Sequence, residues 1–449
     1  MLFNKKSNQT DLTYGPMLPL LSGLTWPMVL GLLGMVLFNL ADIYFIGKVG
    51  VHELAAMGFI FPVVMVVNGL ASGIGIGTSS LISRTFVCQD KNILKQYATE
   101  ACLLGLIFVS IVVMIGQLTI EPLFRSMGAS DKVLPLIENY MRIWYWGMLV
   151  LVIPIVGNNI IRASGDTFTP GMLMIISAII NILLDPLLIF GYGPFPALSI
   201  RGAAIATVIA RGIGMVLIIN VLLRRKKLLT LFIPGLKRML QTWRKIFYVA
   251  IPAAASILIT PLSIGIIIRI ISKFGEEAVA AFGIVSRIEM FALIVVNALG
   301  SVMIIFAGQN WGKEKYGRLL KGFYISLIFS LTWGMLLFIV AQLWAKPVAS
   351  FFSGNYEVIR ITAKYLLIVS FSYGFQGILI IAANILDGIN KPLPAAGLTA
   401  LRMFGIYVPL AWLASVYLNL PGIFWSAFMA NLITGILSYF WLWRCLRKQ

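Results

Sequence analysis

Asp42 stands in the run Phe38-Asn-Leu-Ala-Asp-Ile-Tyr44, and Asp185 in Asn181-Ile-Leu-Leu-Asp-Pro186. Both acids interrupt stretches that are otherwise apolar. A charge inside a bilayer costs at least ~2.5–3.5 kcal/mol even on lenient scales, so such residues are read first as functional. Asn181 and Asp185 are spaced i, i+4 and share one helix face. Their amide and carboxylate oxygens are hard ligands for a small cation, and a buried carboxyl serves equally as a proton carrier. Pro186 has no N–H, which frees a carbonyl one turn earlier. The competing reading is a buried Asp–Asn hydrogen-bond cluster that only fixes helix packing.

Glu289, two residues from Arg287, is a rival proton site. The i, i+2 spacing turns these two side chains to different faces. Arg269 and Arg402 sit in apolar runs and can snorkel, line a cavity or cap carbonyls. His52, beside Glu53, is the single histidine and reads as a solvated loop residue. One such residue does not supply the convergent ligands of a metal site or a Ser–His pair. Cys88, Cys102 and Cys445 are odd in number and lack metal-ligand spacing. No catalytic residue and no cofactor is expected beyond a coupling ion, H⁺ or Na⁺.

These residues are carried by an apolar chain. Of 449 residues, 60% are hydrophobic and 11% charged, with mean hydropathy +0.95. A soluble domain carries roughly a quarter charged residues, so a soluble enzyme, a disordered chain and a disulfide scaffold are excluded. A spanning helix needs about 20 apolar residues. Twelve such runs are predicted: 17–47, 54–82, 97–119, 134–161, 170–192, 202–223, 247–272, 279–306, 321–344, 362–386, 394–416 and 421–443. Backbone groups in lipid must be satisfied internally, so the runs are helices. The long first run lacks a cleavage pattern and is not read as a signal peptide. With the N-terminus inside, 22 of the 35 cations fall in the tails and inward connections, nine in the outward connections and four in spans. Both termini are therefore expected in the cytoplasm, in an inner or plasma membrane. The net charge of +19 then reflects topology and anionic lipid rather than nucleic acid.

The chain also repeats itself. Residues 27–58 and 252–283 align without gaps at an offset of 225, with Pro27 on Pro252, Gly50 on Gly275, and Leu54-Ala-Ala-Met-Gly58 on Val279-Ala-Ala-Phe-Gly283. Tyr140 matches Tyr365 and Asn159 matches Asn384 at the same offset. The expected fold class is all-α and polytopic: twelve transmembrane helices in two parallel, pseudo-symmetric six-helix lobes. Their limits are 1–223 and 247–449, with a cytoplasmic linker at 224–246. Lobes of this kind rock against each other around a site at their interface. At that offset Asp42 meets Ile267, Asn158 meets Ala383, Asn181 meets Ile406 and Asp185 meets Leu410; at 220, Thr207 meets Ala427. A polar set present in one half alone points to a cation or proton site in the N-terminal lobe.

Taken in order, Trp26-Pro27, Asp42-Ile-Tyr-Phe-Ile-Gly47, Asn158-Asn-Ile-Ile-Arg-Ala-Ser-Gly-Asp166, Asn181-Ile-Leu-Leu-Asp-Pro186, Gly202-Ala-Ala-Ile-Ala-Thr207 and Gly308-Gln-Asn-Trp-Gly312 resemble the multidrug and toxic compound extrusion (MATE) family, its DinF-like branch most. The resemblance covers nearly the whole chain. It implies an antiporter that exports organic, often cationic or amphipathic compounds on an inward H⁺ or Na⁺ gradient. It also implies that Asp42, Asn181, Asp185 and Thr207 form the coupling-ion network, Na⁺ included, with Asn158 facing the adjacent cavity. Pro27 is implied as the hinge of the first helix. Other branches use acids in the seventh and tenth spans; here the seventh has none, and Asp387 reads as a cap or loop residue.

Met35, Phe38 and Met65, with Phe291 and Met303, are candidates for an adaptable apolar cavity. The expected partners are small organic substrates and the lipid bilayer, without nucleic acid, for a chain working as a monomer. A flippase for lipid-linked sugars or cell-wall precursors is the alternative, but it would want more span cations than four. An intramembrane lipid enzyme would want clustered acids for Mg²⁺.

Overall fold

The computed structural model describes residues 11–86, 91–191, 196–230 and 235–447. Cys88 and the lysines at 5, 6 and 448 lie outside that range. Every regular element among the described residues is helical, and twelve stretches are long and apolar enough to cross a membrane. The chain divides into two compact units. One is Ser22–Ala254; the other runs from Ala255 onward and takes in Leu12–Leu21.

The first unit contains most of α1 (Met17–Val49), then α2 (Val51–Phe86), α3 (Lys91–Ser126), α4 (Leu134–Ala163), α5 (Phe168–Phe190) and α6 (Ile200–Asn220). Helix α4 lies at its centre and packs on α2, α3 and α6. Small residues set the closest approaches. A Cβ on Gly31 would lie 2.9 Å from Gly171 Cα, and one on Gly202 would lie 2.3 Å from the Leu188 carbonyl oxygen. Helix α7 (Leu236–Ile271) begins in this unit and ends in the second. His52 falls in the first turn of α2 rather than in a loop.

The second unit holds α8 (Glu276–Ala292), α9 (Ile294–Gly312), α10 (Tyr316–Phe352), α11 (Tyr356–Val369), α12 (Tyr373–Gly388), α13 (Pro392–Ala400), α14 (Val408–Tyr417) and α15 (Asn419–Arg447). Three predicted spans are interrupted here. The eighth turns at Leu293, the tenth tightens into a 3₁₀ turn at Ser370–Ser372, and the eleventh contains a π-helical segment, Leu401–Tyr407. The Gly308–Gly312 motif acquires a structural role. Gln309 and Asn310 are fully buried, and Gln309 Oε1 accepts from Leu12 N at 2.9 Å. Arg318 donates to the carbonyls of Leu12, Tyr14 and Gly15, and Lys315 to that of Thr13. Those donors bind Leu12–Gly15 as a strap. Asp387, read from sequence as a cap or loop residue, is instead buried inside α12.

The repeat is visible as repeated contacts inside each unit. Asn159 donates to the Ile155 carbonyl and packs on Gly75; Asn384 donates to the Ile380 carbonyl and packs on Gly300. Gln117 donates to the Arg142 carbonyl, and Gln342 to that of Leu367. Every one of these residues is related to its counterpart by the offset of 225.

Near the end of α6 the chain forms a π turn, Val221–Arg225, and Lys226 folds inward from the basic stretch. Its ammonium meets Asp166 at 2.9 Å, and both side chains are nearly fully buried. Asp166 also accepts from the amide and hydroxyl of Thr169, securing the start of α5. Burial pushes the Asp166 carboxyl up, but Lys226 and Thr169 outweigh it and hold it below the usual carboxylate range. Removing one partner of a buried pair strands the other, typically at ~3–5 kcal/mol. Lys226→Ala should therefore lower the melting temperature in detergent well below that of Lys227→Ala. A depressed carboxyl stabilises the fold above its ordinary value, ~3.9, and that contribution fades as pH falls through the lower folded value. The variant's deficit should thus be complete at neutral pH and shrink below about pH 4; a deficit that is unchanged in acid would contradict the pairing.

Candidate coupling-ion site

In the first unit, α1 and α5 run in fixed register. Gly31 lies against Gly171, and a Cβ on Gly34 would meet Ile175 Cα at 3.4 Å. That register carries Asp42 to the level of the α5 turn between Asn181 and Asp185. Asn181 Nδ2 donates to Asp185 Oδ1 at 3.2 Å, as expected of side chains one turn apart. The carboxyls of Asp42 and Asp185 face each other at hydrogen-bonding range, and the Asn181 amide reaches both. Asp185 and Asn181 are fully buried and Asp42 is 7% exposed.

Two further groups complete the cluster. Thr207 on α6 is buried, and the Tyr140 hydroxyl of α4 lies close to it. Arg211, one turn after Thr207, is within electrostatic reach of Asp42 and lays its guanidinium 4.8 Å from the Phe38 ring centroid. A guanidinium over an aromatic face is attracted to it and held in place. Tyr140 and Arg211 were visible in sequence only as a repeat match and a span cation. Their place beside the acids depends on how α4 and α6 pack.

The cluster is rich in unused acceptors. Asp42 Oδ1, Asp185 Oδ2, Asn181 Oδ1 and Thr207 Oγ1 are buried without a hydrogen-bond partner. Buried polar atoms are nearly always paired, and each orphan costs about 1–3 kcal/mol. Orphan oxygens in one place call for a proton or a hard cation. Charge balance agrees: two carboxylates against one guanidinium leave a single negative charge.

The other sequence candidates are distributed around this centre. Asn158 on α4 is half-buried and its Oδ1 also lacks a partner, yet among the described residues no hydrogen bond joins it to the acids. Its neighbour Asn159 is structural and accepts from Arg162 at 2.8 Å. Phe38 is buried under Arg211, Met35 is half-buried, and Met65 is 42% exposed on α2. In the second unit Met303 is core, with Ser326 against its sulfur, and Phe291 is half-buried. Glu289 takes a hydrogen bond from Tyr365 and belongs to a separate polar cluster. Pro27 lies within a continuous α1, and its carbonyl oxygen is the atom packed on Gly171.

A duplicated bundle of twelve membrane-crossing helices, with unpaired oxygens buried inside one half, has the build of a membrane transporter. The comparisons with known proteins give the same class. The MatE family model matches residues 27–187 and again 252–413, two stretches beginning 225 residues apart. The chain belongs to this MATE family of membrane transporters and is not an enzyme. A protein of Shewanella oneidensis named FAD transporter is 37% identical over 94% of this chain and 93% of its own. The probable multidrug resistance protein YoeA of Bacillus subtilis is 27% identical over 89% and 88%. Among solved structures, a point mutant of the Vibrio cholerae MATE transporter VcmN superposes with a TM-score of 0.92 at 30% identity, covering 98% of each chain. The same transporter in its bent form gives 0.90.

A Cβ on Gly171 would fall 2.4 Å from the Pro27 carbonyl oxygen, a backbone atom with little room to yield. Overpacking of this kind costs about 1–3 kcal/mol. Gly171→Ala should lower both thermal stability and transport by forcing α1 away from α5. Gly23→Ala, in α1 itself and with nothing within 4 Å, should change neither. Equal behaviour of the two variants, in melts and vesicle export, would show that this contact does not hold the site together.

Proposed function

We propose that the protein is a secondary antiporter that exports organic, cationic or amphipathic compounds, with an inward H⁺ or Na⁺ gradient as its source of energy. The observation that carries this reading is the contact of Asp42 and Asp185 inside the first unit, one positive charge short of balance. A proton shared by the two carboxyls supplies that charge. So does a Na⁺ taken up by Asp42, Asp185, Asn181 and Thr207, whose four free oxygens are the hard ligands it prefers. In either case the ion loads from one side of the membrane and leaves to the other, and alternating access follows the change in charge. The proposed location is the inner or plasma membrane, with both termini cytoplasmic, a placement supported by the cation asymmetry of the loops.

The name carried by the Shewanella oneidensis relative extends the substrates to be tested to a dinucleotide with flat aromatic rings. Flavin adenine dinucleotide and a cationic dye such as ethidium bracket the range, since they differ in charge sign but share planar ring systems.

The test is efflux from proteoliposomes under an imposed pH gradient, then an imposed Na⁺ gradient. Wild-type protein should move at least one of the two compounds under one of the gradients. Asp42→Asn and Asp185→Asn should each reduce that rate to the level of empty vesicles, with membrane insertion and melting temperature preserved. Full gradient-driven export by the double variant would defeat the site assignment. Export that ignores both gradients would defeat the antiport mechanism.

A further inference from the structure

A second polar cluster lies in the other unit, around a cavity of about 90 Å³. This space is large enough for a few waters or for one tetrahedral oxoanion. Its polar lining includes Glu289 of α8, Tyr365 of α11, Gln376 of α12, Asn431 of α15, and Arg402 and Tyr407 from the π-helical segment. The π turn makes the last two neighbours. Residues five apart on an α-helix diverge by roughly 140° at 3.6 residues per turn, whereas i→i+5 hydrogen bonding stacks them on one face. Such π segments concentrate at functional sites.

The balance of donors and acceptors is opposite to that at the acid pair. Tyr365 donates to Glu289 Oε1 at 2.9 Å, and Arg402 Nη1 to Asn431 Oδ1 at 3.0 Å. Asn431 Nδ2 donates onward to Ser372 and Gln376. Arg402 Nε and the Tyr407 hydroxyl remain buried with no hydrogen-bond partner, and Tyr407 is 7% exposed. Glu289 is the single anion in a cavity wall of donors. Unused donors beside a guanidinium are a receptor for an anionic oxygen group, since charge-assisted hydrogen bonds of this type are the strong ones.

We propose that this cavity binds a phosphate group of the exported solute, held by Arg402 Nε and the hydroxyls of Tyr407 and Tyr365. Glu289 competes for the same donors and admits the anion only when it carries a proton taken from solvent. The proposal rests on the reading of the chain as an exporter of organic solutes and names a substrate class for it. The titratable and charged groups facing Glu289 are Tyr365, Tyr373 of α12, Arg402 and Tyr407. The adjoining α7 and α15 present neutral groups there, Thr260 and Asn431. Only the charged group enters so small a cavity; the rest of the solute stays outside it.

Equilibrium binding to the purified full-length protein in nanodiscs tests this without any gradient, so its failure is separate from failure of the antiport reading. Flavin anisotropy would compare flavin adenine dinucleotide with riboflavin, which has the ring but no phosphate. Wild type should favour the dinucleotide at least tenfold at acidic pH and lose that preference as pH rises. Glu289→Gln should retain the preference at every pH. Arg402→Gln should abolish it while leaving riboflavin binding unchanged. Tyr407→Phe, which removes one hydroxyl, should weaken it several-fold in a protein that melts like wild type. Inorganic phosphate should compete with the dinucleotide and not with riboflavin. Equal binding of the two flavins, or parallel loss of both in Arg402→Gln, would overturn the proposal and leave a hydrated packing network. Absence of dinucleotide binding by a wild type that exports ethidium would overturn it equally.

Discussion

The first unit depends on one electrostatic condition. Two carboxyls in contact within a helix bundle cannot both remain charged unless something positive is added, because their repulsion is unscreened there. Arg211 supplies one positive charge, held in place by Phe38. On the proposed antiport reading, the remaining charge is the mobile one. A permanent second cation would give an ordinary buried network, stable and inert. The half-filled valence of Asp42, Asp185, Asn181 and Thr207 is therefore the informative feature, more than the presence of acids in a membrane span.

That condition constrains the helices around it. Bringing two carboxyls together costs energy, so the backbone contacts that hold α1 on α5 must be strong enough to bear it. Glycine supplies them. At Gly31, Gly34 and Gly171 the missing side chains let α1 and α5 approach closely, and the contacts fall in a single register that places Asp42 beside the Asn181–Asp185 turn. In the second unit the equivalent positions are apolar, and the polar chemistry moves to Glu289, Arg402 and the tyrosines. Tyr140 and Tyr365 persist at the repeat offset, each beside its unit's polar cluster. The duplicated scaffold thus keeps one phenol and changes the charges around it: acceptors in one unit, donors in the other.

Much of this was legible in the chain itself. Twelve spans, the offset of 225 and the buried acids follow from hydropathy and spacing, which are properties of single residues and of period. Asn181 and Asp185 were readable because their partnership is local to one helix. What the sequence hid were partnerships set by tertiary packing. Lys226 looked like one more cation of a basic connection, yet it is buried against Asp166. Asp387 looked like a cap and is buried in α12. Gln309 and Asn310 looked like part of a family signature and Arg318 like one more loop cation, yet together they hold the Leu12–Gly15 strap. The π turn at Leu401–Tyr407 left no mark, because a single extra residue per turn does not disturb an apolar run.

Pro27 connects the charge condition to movement. Its ring removes the N–H that would bond one turn back, so α1 lacks an internal hydrogen bond at this point. What steadies the helix there is external: the Pro27 carbonyl packed on the bare backbone of Gly171. A helix held by a tertiary contact in place of its own hydrogen bond is the part of the bundle that yields most cheaply. Asp42 lies on the same helix and feels every change of charge at the site. On the proposed antiport reading, an ion that binds or leaves pulls on Asp42 against Asp185, and the joint in the path of that force is the proline turn. Pro27 and Asp42, the proposed hinge and part of the proposed ion site, thus lie on one helix, so a change of charge at the acids acts along the backbone that carries the proline.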